Sequence, residues 1–268
     1  MVKERVDVLA YKQGLFETRE QAKRGVMAGL VVSVINGQRF DKPGEKIDDT
    51  TGLKLNGEKL KFVSRGGLKL EKALQVFGIS VKDKVTLDIG ASTGGFTDVL
   101  LQNGASLVYA VDVGTNQLAW KLRQDERVIN MEKQNIRAVT VEQLGELVDF
   151  ISIDVAFISL DKVLPVATNL LKDKGSLVAL IKPQFEAGKE NVGKGGIVRD
   201  SEIHKEVLHR ILHVAYDCGL YTHGLTFSPI KGMEGNIEFL GYFKKYEEGA
   251  LTIDDTLIDT VVAEAHSL

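Results

Sequence analysis

Cysteine is all but missing from this chain. Cys218 is the single one in 268 residues, so no internal disulfide can form, and its place beside apolar helix positions reads as a small packing residue rather than a nucleophile. Long apolar runs are missing too. No stretch approaches the roughly 20 consecutive apolar residues that a membrane-spanning helix needs, and Lys3, Glu4, Arg5 and Asp7 stand where a signal peptide would be apolar. A cytoplasmic protein is the expectation. Lys and Arg disappear after Lys245: the tail carries Glu247, Glu248, Asp254, Asp255, Asp259 and Glu264, the wrong sign for an anionic membrane surface.

What remains is enough for a full core. With 44% apolar residues the length suits one large domain and one small one. The net charge of −3 conceals an asymmetry, since residues 1–84 hold 17 Lys or Arg against 11 Asp or Glu, and residues 85–268 hold 17 against 26. A basic small domain is common in any case; its arrangement gives the excess meaning as a face for a polyanion.

Four polar residues end four apolar runs: Asp88, Asp112, Asp154 and Lys182. Short Val, Ile and Leu runs separated by amphipathic stretches read as buried parallel strands, whose carboxyl ends bind ligands. Strands are expected near 85–90, 107–113, 127–132, 148–154, 176–182, 222–228 and 236–244. Helices are expected near 94–103, 116–125, 161–172 and 201–218. That order predicts an α/β, doubly wound sheet, with the last two strands forming an antiparallel pair at one edge.

The turn after the first of these strands is Gly90-Ala91-Ser92-Thr93-Gly94-Gly95-Phe96-Thr97, a nucleotide-type cofactor loop feeding a helix. A dinucleotide fingerprint needs glycine at position 92, where Ser92 stands. A helix N-terminus without a full phosphate cradle suits the carboxylate of S-adenosylmethionine, with Asp112 accepting from the ribose hydroxyls. This favours a methyl donor over a nicotinamide, although serine also occurs in dinucleotide sites. A Walker loop is excluded, because no Gly-Lys-Ser/Thr follows the first strand.

Residues 5–60 read as a separate small unit. Val6, Leu9 and Ala10 share a helical face, Gly14 breaks that helix, and Thr18 caps a second one bearing Arg19, Lys23 and Arg24; Val31–Ile35 and the Asn36-Gly37 turn then signal a hairpin. The stretches Arg5-Val6-Asp7-Val8-Leu9, Gly14-Leu15, Thr18-Arg19, Ala22, Gly29-Leu30-Val31 and Val34-Ile35-Asn36-Gly37 resemble the S4 RNA-binding domain, an α+β fold. That family usually has Leu in place of Val6 and Ser in place of Thr18. The resemblance implies recognition of folded RNA by shape and phosphate contact, with Arg5, Arg19, Lys23, Arg24 and, beyond the unit, Arg65 as RNA-binding candidates. Ser64-Arg65-Gly66-Gly67 is turn-like, and Leu68, Leu70, Ala73, Leu74 and Phe77 follow a helical pattern stopped by Gly78, with Lys69 at its start.

The segments Asp88–Thr97, Asp154-Val155-Ala156-Phe157-Ile158-Ser159-Leu160 and Lys182-Pro183-Gln184-Phe185-Glu186 are similar to motifs of the TlyA family, S4-domain proteins fused to an FtsJ-like methyltransferase. The resemblance runs from Arg5 through Asn236-Ile237-Glu238. It implies a class I methyltransferase sheet preceded by the S4 domain, and S-adenosylmethionine-dependent 2′-O-methylation of cytidine in ribosomal RNA. It also implies a Lys-Asp-Lys-Glu tetrad at Lys69, Asp154, Lys182 and Glu238. Cofactor-binding candidates are Gly90, Ala91, Ser92, Gly94, Gly95, Phe96, Asp112, Asn135 and Asp154; no metal is expected. The divisions are 1–60, a linker and leading helix over 61–84, the methyltransferase domain over 85–245 and an acidic tail over 246–268.

The residue types suit this chemistry. A ribose 2′-hydroxyl is a weak nucleophile until its proton leaves, so the enzyme must align it and accept that proton, which a neutral lysine can do. Lys182 is the candidate base. Burial and Lys69 would favour its neutral form, while Asp154 and Glu238 would oppose it. Taken singly, Lys182 also fits a lysine snorkelling from a strand end, Asp154 a helix cap and Glu238 an exposed strand residue.

Other readings stay open. Residues 186–199, with Gly188, Gly193, Gly195 and Gly196 among Lys189, Glu190, Lys194 and Arg199, form either a segment that closes on RNA or a flexible connection. His204, His209 and His213 read as helix-surface or packing residues, lacking acidic partners for a metal site. A noncatalytic RNA-binding or ribosome-assembly factor, or a membrane-active haemolysin, would be functions of another class.

Overall fold

The computed structural model describes residues 2–56, 61–232 and 235–268. Its contacts divide the chain into two compact units, Met1–Lys61 and Phe62–Leu268. The expected boundary at residue 60 lies outside the described residues.

In the first unit β1 (Lys3–Arg5) leads into α1 (Val6–Lys12), followed by α2 (Arg19–Met27), β2 (Val31–Ser33), β3 (Arg39–Phe40), β4 (Lys46–Asp48) and β5 (Leu53–Leu55). Thr18 starts α2 with a capping box: its hydroxyl accepts from the Gln21 N–H at 3.2 Å and the Gln21 side chain accepts from the Thr18 N–H at 3.2 Å. Gly37 turns the β2–β3 hairpin at φ +70°, in the left-handed region. The sheet order is β3-β2-β5, while β1 pairs with β4. Val6, Leu9 and Ala10 of α1 meet Ala22 and Val26 of α2 over Val31, Phe40 and Leu53, giving this unit its own core.

The second unit runs α3 (Gly67–Val76), β6 (Val85–Ile89), α4 (Gly95–Gln102), β7 (Leu107–Val111), α5 (Trp120–Arg123), β8 (Val128–Met131), α6 (Val141–Leu144), β9 (Val148–Ile153), α7 (Leu164–Leu170), β10 (Leu171–Ile181), α8 (Pro183–Glu186), α9 (Ser201–Asp217), β11 (Tyr221–Phe227), β12 (Phe239–Lys244) and α10 (Asp255–His266). Its seven strands form one sheet in the order β11-β12-β10-β9-β6-β7-β8. Alternate residues of each strand feed opposite faces: Leu177, Ala179 and Ile181 pack with α9 and α10, while Val178 and Leu180 pack with α3 and α4. Both faces are covered, which is why these strands read as continuous apolar runs.

Three expectations need correction, while the last two strands do form the antiparallel pair expected at one edge. Strand β12 is antiparallel to both β10 and β11 and lies between them, so the outermost strand β11 runs with the parallel majority. The α9 crossover carries the chain one place beyond the neighbouring position, and the following hairpin returns to fill it. The helix expected over 116–125 begins only at Trp120, because Asn116 sits at φ +55° and the Ala119 N–H donates to the Thr93 carbonyl at 3.0 Å. From Phe62 onward the expected linker belongs to the large unit, since Phe62, Leu70, Ala73 and Leu74 lie in its core. The acidic tail ends in α10, whose Ile258, Val261, Val262 and Ala265 are buried in the same unit while its acids face outward.

Candidate active site

Strand register assembles the site. Val111, Ile89 and Ile153 stand side by side on adjacent parallel strands, so the residues after them, Asp112, Gly90 and Asp154, emerge together at the carboxyl edge. On the next strand Ile181 precedes Lys182, and Ile181 pairs with Phe239 of the antiparallel β12, whose preceding residue is Glu238. The inserted antiparallel strand therefore brings a carboxylate from residue 238 beside a lysine from residue 182. An edge placement of β12 would not.

Two ion pairs result. Lys182 Nζ lies 2.5 Å from Asp154 Oδ1, and Lys69 Nζ lies 2.6 Å from Glu238 Oε2. The second is the more deeply buried, with the Glu238 side chain 2% exposed and that of Lys69 10%. Lys69 is therefore not the solvated helix-start lysine it resembles in isolation. A buried pair of this kind is weak support for stability, because desolvation opposes the attraction, but losing one partner strands a charge. Gln184 joins the pairs: its Nε2 donates to Glu238 Oε1 at 3.3 Å, and its Oε1 is buried and accepts from none of the described residues.

The glycine turn has reasons within the protein. A Cβ at Gly90 would fall 2.2 Å from the Asp154 carbonyl oxygen, one at Gly94 2.3 Å from Leu122 Cδ1, and one at Gly95 2.9 Å from the Gly67 nitrogen. These glycines let β9, α5 and the 64–67 turn pack against the loop. Ser92 adopts φ +49°, and its N–H donates to Asp112 Oδ2 at 2.8 Å while the Gly114 N–H donates to Oδ1 at 2.7 Å. Asp112 thus braces the loop with both oxygens, each keeping a further lone pair at a half-buried position. Ala91 and Phe96 bury their side chains in the core and offer a ligand only their backbone. Helix α4 starts without a side-chain cap, leaving its amino end suited to a carboxylate. Asn135 is exposed, and its side chain accepts from the Arg137 N–H at 3.0 Å in a local turn.

Beneath the loop Asp88 is fully buried, accepting from Thr97 Oγ1 at 2.7 Å and Ser152 Oγ at 3.0 Å. Burial pushes its carboxyl up to about 7 despite the two hydroxyls.

Phe157, Phe185 and Glu186 stand within the sequence motifs but had no expected role. Phe157 is 91% exposed at φ +62°, and its ring lies 5.0 Å from that of Phe185, which in turn lies 5.8 Å from Lys182 Nζ. A bulky residue held at positive φ costs about 1–3 kcal/mol, and an exposed aromatic so held beside the ion pairs offers a face for a planar group. Glu186 fixes this loop. Its buried carboxylate accepts from Ser159 Oγ at 2.7 Å, the Leu160 N–H at 2.8 Å and Arg210 Nη2 at 2.5 Å, tying the Asp154–Leu160 loop to the helix that follows Lys182. The hint available in sequence was its place closing the Lys-Pro-Gln-Phe-Glu run.

The candidate RNA-binding residues differ from this site in character. In the small unit Arg5 spends Nε and Nη2 on the buried Asp7, at 2.9 and 3.0 Å, and Arg19 Nε stands 3.7 Å from the same carboxylate. The Arg5 hydrogen bonds hold the Asp7 carboxyl below its usual range. Arg24 faces Glu20 at 3.7 Å, and Lys23 is exposed with no ion-pair partner among the described residues. Arg65, in the large unit, is exposed. Of the three helix histidines, His204 is buried, with burial and His266 pushing it down to about 4. His209 and His213 do have acidic neighbours, Asp255 at 3.2 Å and Asp217 at 3.6 Å, but no metal-type cluster forms among the described residues.

Known proteins resemble this chain in sequence and fold. Residues 62–245 match the family described as FtsJ-like methyltransferase. YqxC of Bacillus subtilis is 55% identical over 98% of this chain and 94% of its own length. The 16S/23S rRNA (cytidine-2′-O)-methyltransferase TlyA of Mycobacterium tuberculosis is 41% identical over 92% of each chain. A solved structure of a Streptococcus thermophilus protein provisionally described as a hemolysin is 64% identical, with TM-score 0.77, over 100% of this chain and 97% of that one. With its large unit matched from end to end and relatives spanning nearly all of its length, the chain belongs to the FtsJ-like methyltransferase family, within its TlyA group.

Proposed function

We propose that this protein transfers a methyl group from S-adenosylmethionine to the ribose 2′-oxygen of a cytidine in ribosomal RNA. The observation that carries the reading is the convergence of two lysine–carboxylate pairs, Lys182–Asp154 and Lys69–Glu238, on the strand edge that also presents the glycine loop. The donor set fits the cofactor: an uncapped helix start for its carboxylate and Asp112 lone pairs for its ribose hydroxyls. When bound, S-adenosylmethionine supplies an already activated methyl. The chain's own residues then have a limited task, namely to hold the acceptor oxygen in line and remove its proton.

Lys182, acting as the free amine, accepts that proton from the 2′-hydroxyl, and Asp154 at 2.5 Å stabilises the ammonium that results. Lys69 and Glu238 fix the floor of the site, with Gln184 Oε1 offering an acceptor to the incoming nucleotide. Phe157 and Phe185 supply a stacking face for its base. The small unit contributes RNA affinity in the manner of an S4 domain, through Lys23, Arg24 and the outward parts of Arg5 and Arg19. The substrate is ribosomal RNA, free or within a subunit, in the cytoplasm. No helix among the described residues is long and apolar enough to cross a membrane.

The test is incubation with methyl-labelled S-adenosylmethionine and purified ribosomal subunits or their RNA, followed by digestion to nucleosides. Label is expected in 2′-O-methylcytidine. RNA binding without any incorporation would favour a noncatalytic assembly factor, and label in a base would contradict the ribose assignment.

A further inference from the structure

The glycine-rich segment after Lys182 is a fixed hairpin. The Gly193 N–H donates to the Ile197 carbonyl at 3.0 Å and the Gly196 N–H to the Gly193 carbonyl at 3.1 Å, with Gly195 and Gly196 at φ +81° and +75°. Asn236 clasps it from outside: its Oδ1 accepts from the Val198 N–H at 3.1 Å, and its Nδ2 donates to the Gly196 carbonyl at 2.9 Å. His204 Nε2 sits 3.2 Å from the Val198 carbonyl, and Asn191 Nδ2 donates to the Ala187 carbonyl at 2.9 Å. Glycine here serves a tight turn rather than a hinge.

On this frame stand Lys189, Lys194 and Arg199, all exposed and none in an ion pair with a described residue. Elsewhere in the unit many basic side chains are paired, among them Lys121 with Asp98, Arg123 with Glu132, Lys172 with Asp149 and Arg210 with Glu186. Residues 85–268 hold 26 acidic against 17 basic residues, so three unpaired cations over eleven positions run against the local background. Glu190 is the one carboxylate in 188–199. Both anchors of the hairpin adjoin the site: the segment leaves α8, which follows Lys182, and Asn236 is two residues before Glu238.

We propose that this hairpin is a preformed contact surface for the RNA phosphate backbone beside the target nucleotide, with Lys189, Lys194 and Arg199 as its phosphate ligands. This rests on the RNA-methyltransferase reading and assigns that activity a second RNA-contacting element, carried by the large unit itself. Fixing the backbone in advance lowers the ordering entropy lost on binding, and side chains released from intramolecular pairing are free to displace counterions.

The experiment measures affinity of the full chain for deproteinised 16S and 23S rRNA across a potassium chloride series. Compared are the wild type, the triple variant Lys189→Gln/Lys194→Gln/Arg199→Gln, and the control Lys82→Gln/Lys174→Gln, which lies toward the opposite end of the parallel strands. The triple variant should flatten the log–log salt slope by roughly 2–3, at about 0.7–0.9 for each phosphate no longer neutralised. Its KM for RNA should rise several-fold with kcat and S-adenosylmethionine affinity within about twofold. The control pair should leave the slope near the wild-type value. An unchanged slope in the triple variant, or an equal loss per charge in the control, overturns the proposal. If the wild type binds RNA but methylates none, the functional reading fails while the slope comparison still decides the surface.

Discussion

The two units use charge in opposite ways. In the large unit two lysines and two carboxylates at the strand edge are largely withdrawn from solvent and paired with one another, Lys69 with Glu238 and Lys182 with Asp154. In the small unit a single buried carboxylate, Asp7, gathers Arg5 and Arg19, and Lys23 and Arg24 lie on the surface of α2. A buried pair is sensitive to the loss of one atom, whereas an exposed cluster acts through its summed field. Chemistry and affinity should therefore separate by unit when each is mutated.

The largest separation is expected at Lys182. Lys182→Arg keeps a charge beside Asp154 but cannot accept a proton, so single-turnover methyl transfer should fall by about 10²–10⁴-fold with RNA and cofactor both bound. A near-wild-type rate would reassign Lys182 to electrostatic positioning. Next is Asp112→Ala, which removes the cofactor's acceptor and also the brace on Ser92 and Gly114. Calorimetry should show S-adenosylmethionine affinity weakened by about 1–3 kcal/mol, with RNA affinity intact. In the small unit the reverse should hold. Arg19→Glu/Lys23→Glu/Arg24→Glu should lower RNA affinity and its salt slope while cofactor binding stays within error. Loss of cofactor binding in that variant would break the division of labour.

The smallest effect concerns Asp88. Its carboxyl is raised to about 7 by burial, so the folded state retains a proton that the unfolded chain releases near pH 4. Wild-type stability from this group consequently falls as pH rises from about 4 to about 7. Asp88→Asn does not titrate, and the Thr97 and Ser152 hydroxyls can rotate to suit an amide. The Tm of the variant relative to wild type should climb across that window, and a constant difference would remove the buried carboxyl as the cause.

Much of the large sheet was legible because its strands are covered on both faces and therefore read as apolar runs ending in polar residues. Asp112, Asp154 and Lys182 mark those ends directly, whereas Asp88 lies inside β6, one residue before its end, and is buried. What escaped were features that depend on distant chain segments. The interior place of β12 follows from the α9 crossover, not from any residue in 239–244. Helix α10 was hidden by its acids, although Ile258, Val261, Val262 and Ala265 keep helical spacing. The demands on Gly94 and Gly95 come from Leu122 and Gly67, and the partners of Glu186 come from residues 159, 160 and 210, which no local pattern connects.

The most direct measurement is methyl transfer to an RNA carrying 2′-deoxyribose at the single position that the protein modifies. The acceptor oxygen is then absent while the base, the flanking phosphates and the docking surfaces remain. Transfer should vanish with RNA affinity little changed; methylation that persists at that nucleotide would mean that a base atom, not the ribose oxygen, receives the methyl group.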